Sequence, residues 1–222
     1  DVYKRQCSIS AKAHNALIQK APTFSNESDI AGLFLNETMQ LGSQSLAYPT
    51  IAAANINACT LHYTKNNSKI QKTDLILVDA GCEYSEYASD ITRTFPASGR
   101  FSAQQQAIYE AVLDTQESSI NLCKPNTKFS DINHHAITRI CQHLIDLKIL
   151  NGSIDDIIEQ QLYLKYFPHR IGHTMGLDVH DIPLGDDTLQ PGMVITVEPG
   201  IYVSEPNAFH GIGVRIEDNI LI

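Results

Sequence analysis

Two apolar runs in this chain end in a carboxylate: Leu75-Ile76-Leu77-Val78 leads into Asp79, and Val194-Ile195-Thr196-Val197 leads into Glu198. Short apolar runs rich in Val and Ile read as buried strands. An acid at the end of a buried strand is either released to solvent or aimed into a polar site. The residues after Asp79 bear on that choice. A turn at Ser85-Glu86 would return the chain over Ala88 to Phe95 and set Asp79 opposite Thr92, with Asp90 on the same face as Thr92. Neighbours across such a ribbon lie ~4.5–8 Å apart, so the two carboxylates converge. They repel unless a cation or a shared proton lies between them. Taken alone, the pair reads more simply as a strand end and an Asp90–Arg93 ion pair.

Three further clusters change that balance. Pro168-His169-Arg170-Ile171-Gly172-His173 and Gly176-Leu177-Asp178-Val179-His180-Asp181 place three histidines within twelve positions. Imidazole suits metal ligation and proton transfer near neutral pH. The helical zinc-protease motif H-E-x-x-H is absent, and Pro168 and Gly172 disfavour a helix there. Glu198 precedes the Pro199-Gly200 turn. In Gly213-Val214-Arg215-Ile216-Glu217-Asp218, alternation puts Arg215 and Glu217 on one face of a strand. Each cluster alone has an ordinary reading: surface or core histidines, a strand-end acid in solvent at Glu198, and a surface ion pair of Arg215 and Glu217 on an edge strand. Together they set four acids and a histidine at strand ends or faces. Such an oxygen-rich set suits manganese, cobalt, iron or zinc rather than a thiolate site. Its charge is enough for two divalent ions, which sit ~3.5–4 Å apart in two-metal hydrolases.

The five cysteines, Cys7, Cys59, Cys82, Cys123 and Cys141, are odd in number and form no C-x-x-C. That argues against a disulfide framework and for a reducing compartment. A net charge of −9 argues against nucleic acid and anionic membrane surfaces as partners. No apolar run approaches the ~20 residues of a membrane span.

Helical spacing predicts helices over Ser10–Lys20, from a Ser25 cap to Gly42, over Ala103–Leu122 with Ser102 as cap, and over Ser130–Leu147 with Ser130 as cap and Asn151-Gly152 closing it. Strands are expected between Tyr48 and Thr94, at Val194–Val197 and over Gly213–Ile222. Helix, strands, helices, strands is the order of an α+β domain with one curved sheet backed by helices. The chain has no initial Met and stops at Ile222 within a strand-like run, so it reads as a single-domain fragment, 1–222.

The ligand order Asp79, Asp90, His173, Glu198, Glu217 resembles the methionine aminopeptidase, aminopeptidase P and prolidase family, from about Ala11 to Ile222. Its aminopeptidase P branch is the most similar, through Asn57-Ala58-Cys59-Thr60-Leu61-His62-Tyr63, Asp79-Ala80-Gly81-Cys82-Glu83-Tyr84, Asp90-Ile91-Thr92-Arg93-Thr94-Phe95-Pro96 and Glu198-Pro199-Gly200-Ile201-Tyr202. The resemblance implies a pita-bread fold with a curved, mainly antiparallel sheet. It implies two divalent ions, Mn(II) by family habit, bridged by Asp90 and Glu217, with Asp79 on one ion and His173 and Glu198 on the other. It further implies cleavage of the bond before a proline at the second position of a peptide, by a metal-bridging hydroxide. Glu198 would move the proton, and His169 or His180 would stabilise the oxyanion. His62, His169, His180 and Arg215 would line the substrate site. Cysteine usage and the family's habit imply a cytoplasmic location, with a mitochondrial relative left open. The family's N-terminal domain, which takes part in homo-oligomer contacts, has no counterpart in these residues, and Arg170 stands where relatives often carry a smaller side chain. Two alternatives stay open: prolidase, which cuts only dipeptides, and a non-catalytic binding module, against which the complete ligand set argues.

Overall fold

The computed structural model of the chain describes residues 2–222. In chain order the elements are α1 (Val2–Lys20), α2 (Glu27–Gln40), β1 (Ser45–Leu46), β2 (Ile51–Ala54), β3 (Leu75–Asp79), β4 (Cys82–Tyr84), β5 (Tyr87–Ala88) and β6 (Thr92–Pro96). There follow α3 (Ala103–Ile120), α4 (Phe129–Asp146), α5 (Ile154–Glu159), β7 (Val194–Val197), β8 (Gly200–Val203), β9 (Ile212–Arg215) and β10 (Asp218–Leu221). Every strand pair is antiparallel.

Strand periodicity sorts the side chains into an outer apolar face and an inner polar one. In β3, Ile76 and Val78 pack against Leu17, Ile30 and Phe34 of the first two helices. Asp79 has the opposite parity and shares the inner face with Leu77. In β7, Ile195 and Val197 pack on Phe129, Ile132 and Ala136 of α4, which leaves Thr196, and Glu198 just beyond, on the inner side. Val214 and Ile216 pack with Ile108, Val112, Ile140 and Leu144 of α3 and α4, so Arg215 and Glu217 turn inward. Helices therefore cover the outside of the strands, and the acids gather on the concave side.

The turn at Ser85-Glu86 is present. Both residues have positive φ, 52° and 69°, as a two-residue hairpin turn requires. The register it sets pairs Tyr84 with Tyr87 and Asp79 with Thr92.

Several local expectations need correction. The cap of α2 is Asn26, not Ser25: Asn26 accepts from the Ser28 N–H, while Ser25 donates to Asp29. At α4 the N-cap is Lys128, with no side-chain bond, and Ser130 lies inside the first turn. Its N–H is instead accepted by Asp187 Oδ2 at 2.9 Å from a distant loop. That helix stops at Asp146 with Lys148 in the left-handed region, before Asn151-Gly152, which leads into α5. The Gly213–Ile222 strand is divided. β9 pairs β8 and β10 pairs β7, and between them Glu217 bridges Thr92. The expected sheet is therefore assembled from four small sheets, β1-β4-β5, β2-β3-β6, β7-β10 and β8-β9.

Candidate metal centre

A cavity of about 260 Å³ opens on the concave side. Its walls include all nine residues singled out from the sequence: Asp79, Asp90, His173, Glu198, Glu217, His62, His169, His180 and Arg215. Within it, Asp90, His173 and Glu217 each offer a ligand atom within 4.8 Å of the other two. Glu198 stands beside this trio, its Oε1 3.5 Å from His173 Nε2. Asp79 lies outside this trio but shares the Tyr48 hydroxyl with Asp90: its Oδ2 accepts from Arg215 at 2.6 Å and its Oδ1 from Tyr48 at 2.6 Å.

The backbone aims each group. His173 donates its N–H to Thr196 Oγ1 at 3.0 Å, and its carbonyl accepts the Thr196 N–H at 2.8 Å. A Cβ at Gly172 would land on the Thr196 carbonyl, so only glycine lets His173 sit this close to β7. His173 Nδ1 lies 3.0 Å from the Thr174 carbonyl. A carbonyl only accepts, so Nδ1 carries hydrogen and Nε2 turns toward Asp90 Oδ2 at 3.4 Å. Asp90 is held at its backbone by the Asn219 side chain, which accepts the Asp90 N–H at 3.1 Å and donates to its carbonyl at 2.5 Å. Arg93 does not pair with Asp90. It donates to the Glu217 carbonyl and to Asp218, which removes the simpler reading of the aspartate pair.

Glu217 and Arg215 are 1% and 4% exposed, which rules out a surface ion pair on an edge strand. Thr92 Oγ1 donates to Glu217 Oε2 at 2.6 Å and accepts from Arg215 Nε at 3.2 Å. Arg215 also donates to the Tyr202 hydroxyl at 2.9 Å, and that hydroxyl lies 2.8 Å from His169 Nε2. A chain of contacts thus runs from Asp79 through Arg215 and Tyr202 to His169.

Burial and crowding work against negative charge here. Desolvation, then the neighbouring acids, pushes the Glu217 carboxyl well above its ordinary value. Desolvation is also the first cause that raises Asp90, with Asp79 adding to it. Desolvation pushes Glu198 up to about 7. Burial opposes a charge on His173, but its hydrogen bond to Asp90 and the Glu198 charge outweigh this and raise its pKa. His169 is pushed down to about 4 by burial and then by Arg215, and His180 is lowered by burial and by His173. The single Tyr48 hydrogen faces two carboxylate oxygens, Asp79 Oδ1 and Asp90 Oδ1 at 2.5 Å. Acceptors outnumber donors in this corner, and hard divalent cations relieve such an excess. The donor set therefore fits a metal centre.

Tyr48, Tyr202, Thr92, Thr196 and Asn219 were not singled out from the sequence. Parity was the available signal for three of them. Thr196 and Tyr202 share the parity of Glu198, and Thr92 lies two residues from Asp90. Tyr48 and Asn219 carry no such local signal.

The sequence profile of metallopeptidase family M24 matches residues 1–222. A Xaa-Pro aminopeptidase of Haemophilus influenzae is 45% identical over 96% of this chain and 52% of its own length. One from Escherichia coli is 40% identical over 100% and 52%. A solved structure of E. coli aminopeptidase P with the inhibitor Pro-Leu superposes with a TM-score of 0.96 at 40% identity, covering 100% of this chain and 52% of that one. The α+β, pita-bread fold expected from the sequence is the fold present. The chain spans about half the length of the curated relatives it matches.

Proposed function

The chain belongs to metallopeptidase family M24, and from that premise we propose that it is the metal-binding catalytic part of a Xaa-Pro aminopeptidase, releasing the N-terminal residue of peptides with proline second. The convergence of five ligand-type side chains and three further histidines on one cavity carries this reading. The names of the relatives support it over the dipeptide-restricted alternative.

In this proposal Asp79, Asp90, His173, Glu198 and Glu217 would together hold two divalent ions. Mn(II) is the assignment that family habit and the oxygen-rich set favour. A metal pair held there would supply a nucleophile at neutral pH and polarise the scissile carbonyl. The residues of the chain do the rest. Glu198, half-buried and with a raised pKa, is suited to accept a proton and return it to the departing proline nitrogen. That nitrogen carries no hydrogen in the intact peptide, so its protonation must be arranged by the site. His180 faces the cavity as a donor toward a developing oxyanion, and His169, held neutral with Nδ1 donating to the Arg170 carbonyl and Nε2 facing the Tyr202 hydroxyl, shapes the wall beside it. His62 and Arg215 position the proline side, and the acids receive the substrate's free amine. No helix of the described residues is long and apolar enough to cross a membrane, and all five cysteines are unpaired, which supports placement in a reducing compartment such as the cytoplasm.

The test is hydrolysis of a Xaa-Pro-Xaa tripeptide with and without added Mn(II), beside Glu198→Ala and His173→Ala. Metal-dependent release of the first residue is expected, with loss of nearly all turnover in both variants and retained circular dichroism. Either variant turning over like wild type refutes the assignment.

A further inference from the structure

Arg170 has no part in the metal centre, yet it forms part of the cavity wall. Its guanidinium carbon lies 5.7 Å from the centre of the Phe129 ring. Among the described residues the guanidinium makes no hydrogen bond or ion pair. Arg170, Gly172, His173 and His180 also line an adjoining cavity of about 310 Å³. The two spaces therefore share a wall, and Arg170 stands on it. Apolar Pro183, Leu184 and Ile195 shape the second space with two acids, Asp181 and Asp187, and the Arg170 charge acts on Asp187 without a hydrogen bond to it. Asp181 accepts from the Ile182 N–H and Asp187 from the Ser130 N–H.

A guanidinium lying over an aromatic face keeps its N–H edge free, and that edge matches a carboxylate bidentately. The other arginine of the metal cavity, Arg215, is already spent on Asp79, Thr92 and Tyr202. A peptide whose scissile carbonyl sits at the acid cluster reaches its next carboxylate two residues on, about 7 Å away at ~3.3–3.6 Å per residue. The acids that gather metals repel that carboxylate, and Arg170 is placed to receive it.

Resting on the activity proposed above, we propose that Arg170 is a specificity determinant that binds the C-terminal carboxylate of Xaa-Pro-Xaa tripeptides as they leave the metal centre for the adjoining cavity. The carboxylate accepts two N–H bonds and no covalent step is involved.

The experiment compares a Xaa-Pro-Xaa tripeptide with its C-terminal amide on the Mn(II)-loaded chain, in wild type, Arg170→Ala and Arg170→Lys. In wild type the acid exceeds the amide in kcat/KM by on the order of threefold to tenfold, as one charge-assisted contact at an exposed site allows. The difference lies in KM. In Arg170→Ala the acid-to-amide ratio falls toward one, and in Arg170→Lys it is intermediate, because lysine lacks the fork. The same ratio in all three proteins overturns the inference, as does a ratio that changes through kcat alone. Should wild type cleave neither peptide, the activity reading falls. Calorimetric titration of a Pro-Xaa dipeptide and its amide into the metal-loaded chain then decides the Arg170 contact separately: equal affinities in wild type overturn it, and preference for the acid that Arg170→Ala abolishes supports it.

Discussion

Replacing Asn219 by alanine tests whether the metal centre is held by its backbone or by its ligands alone. The Asn219 side-chain amide clasps the backbone of Asp90 with both its oxygen and its nitrogen, at 3.1 and 2.5 Å, and its oxygen also accepts from the Cys7 thiol. Each such bond contributes about 1 kcal/mol net, so removing both costs about 2 kcal/mol. If half of this falls on the placement of Asp90 rather than on global stability, metal affinity drops about fivefold. If all of it does, the drop is about thirtyfold at ~1.4 kcal/mol per decade. Losses of this size are typical of groups that orient metal ligands from behind. The assay is calorimetric titration of Mn(II) into the metal-free chain, with thermal melts beside it. A chain of this length loses about 2–4 °C in Tm per kcal/mol. The reasoning is refuted if Asn219→Ala lowers the metal-free Tm while its Mn(II) affinity stays within twofold of wild type. Asn219 would then be a strand residue and nothing more.

Two other perturbations probe the frame. His14, 2% exposed, is bonded to the Ala80 carbonyl and is pushed down to about 4, chiefly by burial. A depressed histidine favours the fold while neutral. Its contribution is complete above the unfolded value near 6.5 and is lost as pH falls from there toward 4, by up to about 3 kcal/mol. Urea titrations of wild type and His14→Gln should therefore differ least at the acid end of that window, and a difference constant from pH 4 to 7.5 contradicts the account. Glu27, fully buried, accepts from Ala54 N, Asn57 Nδ2, Tyr63 Oη and Ser68 N, each at 2.9 Å. Glu27→Gln turns one acceptor into a donor facing donors and should cost about 3 kcal/mol, read as a Tm drop of about 6–12 °C. A drop under 2 °C would show that the network rearranges freely.

The inner face was legible in the sequence wherever parity alone decides it. Asp79 opposite Thr92, and Arg215 with Glu217, follow from alternation and a two-residue turn, both local. The misplaced features depend on distant partners. Ser130 gives way as a cap because Asp187, 57 residues on, supplies the acceptor. The run from Gly213 to Ile222 looks like one strand because Val214, Ile216, Ile220 and Ile222 keep one parity with only Asp218 interrupting, yet it exchanges one partner strand for another at Glu217. Asn219 reads as an ordinary strand polar residue, since its meaning lies 129 residues earlier at Asp90.

The Thr92–Glu217 bridge has a bearing on how the chain folds. It joins residues 125 apart, and closing so long a loop carries an entropic cost that local helices and hairpins do not. Asp79 and Asp90 belong to the early segment, and His173, Glu198 and Glu217 to the late one, so neither segment alone can form the cluster. Metal capture is consequently expected at the end of folding, when the two segments meet. The rate of Mn(II) uptake during refolding would then report that docking step.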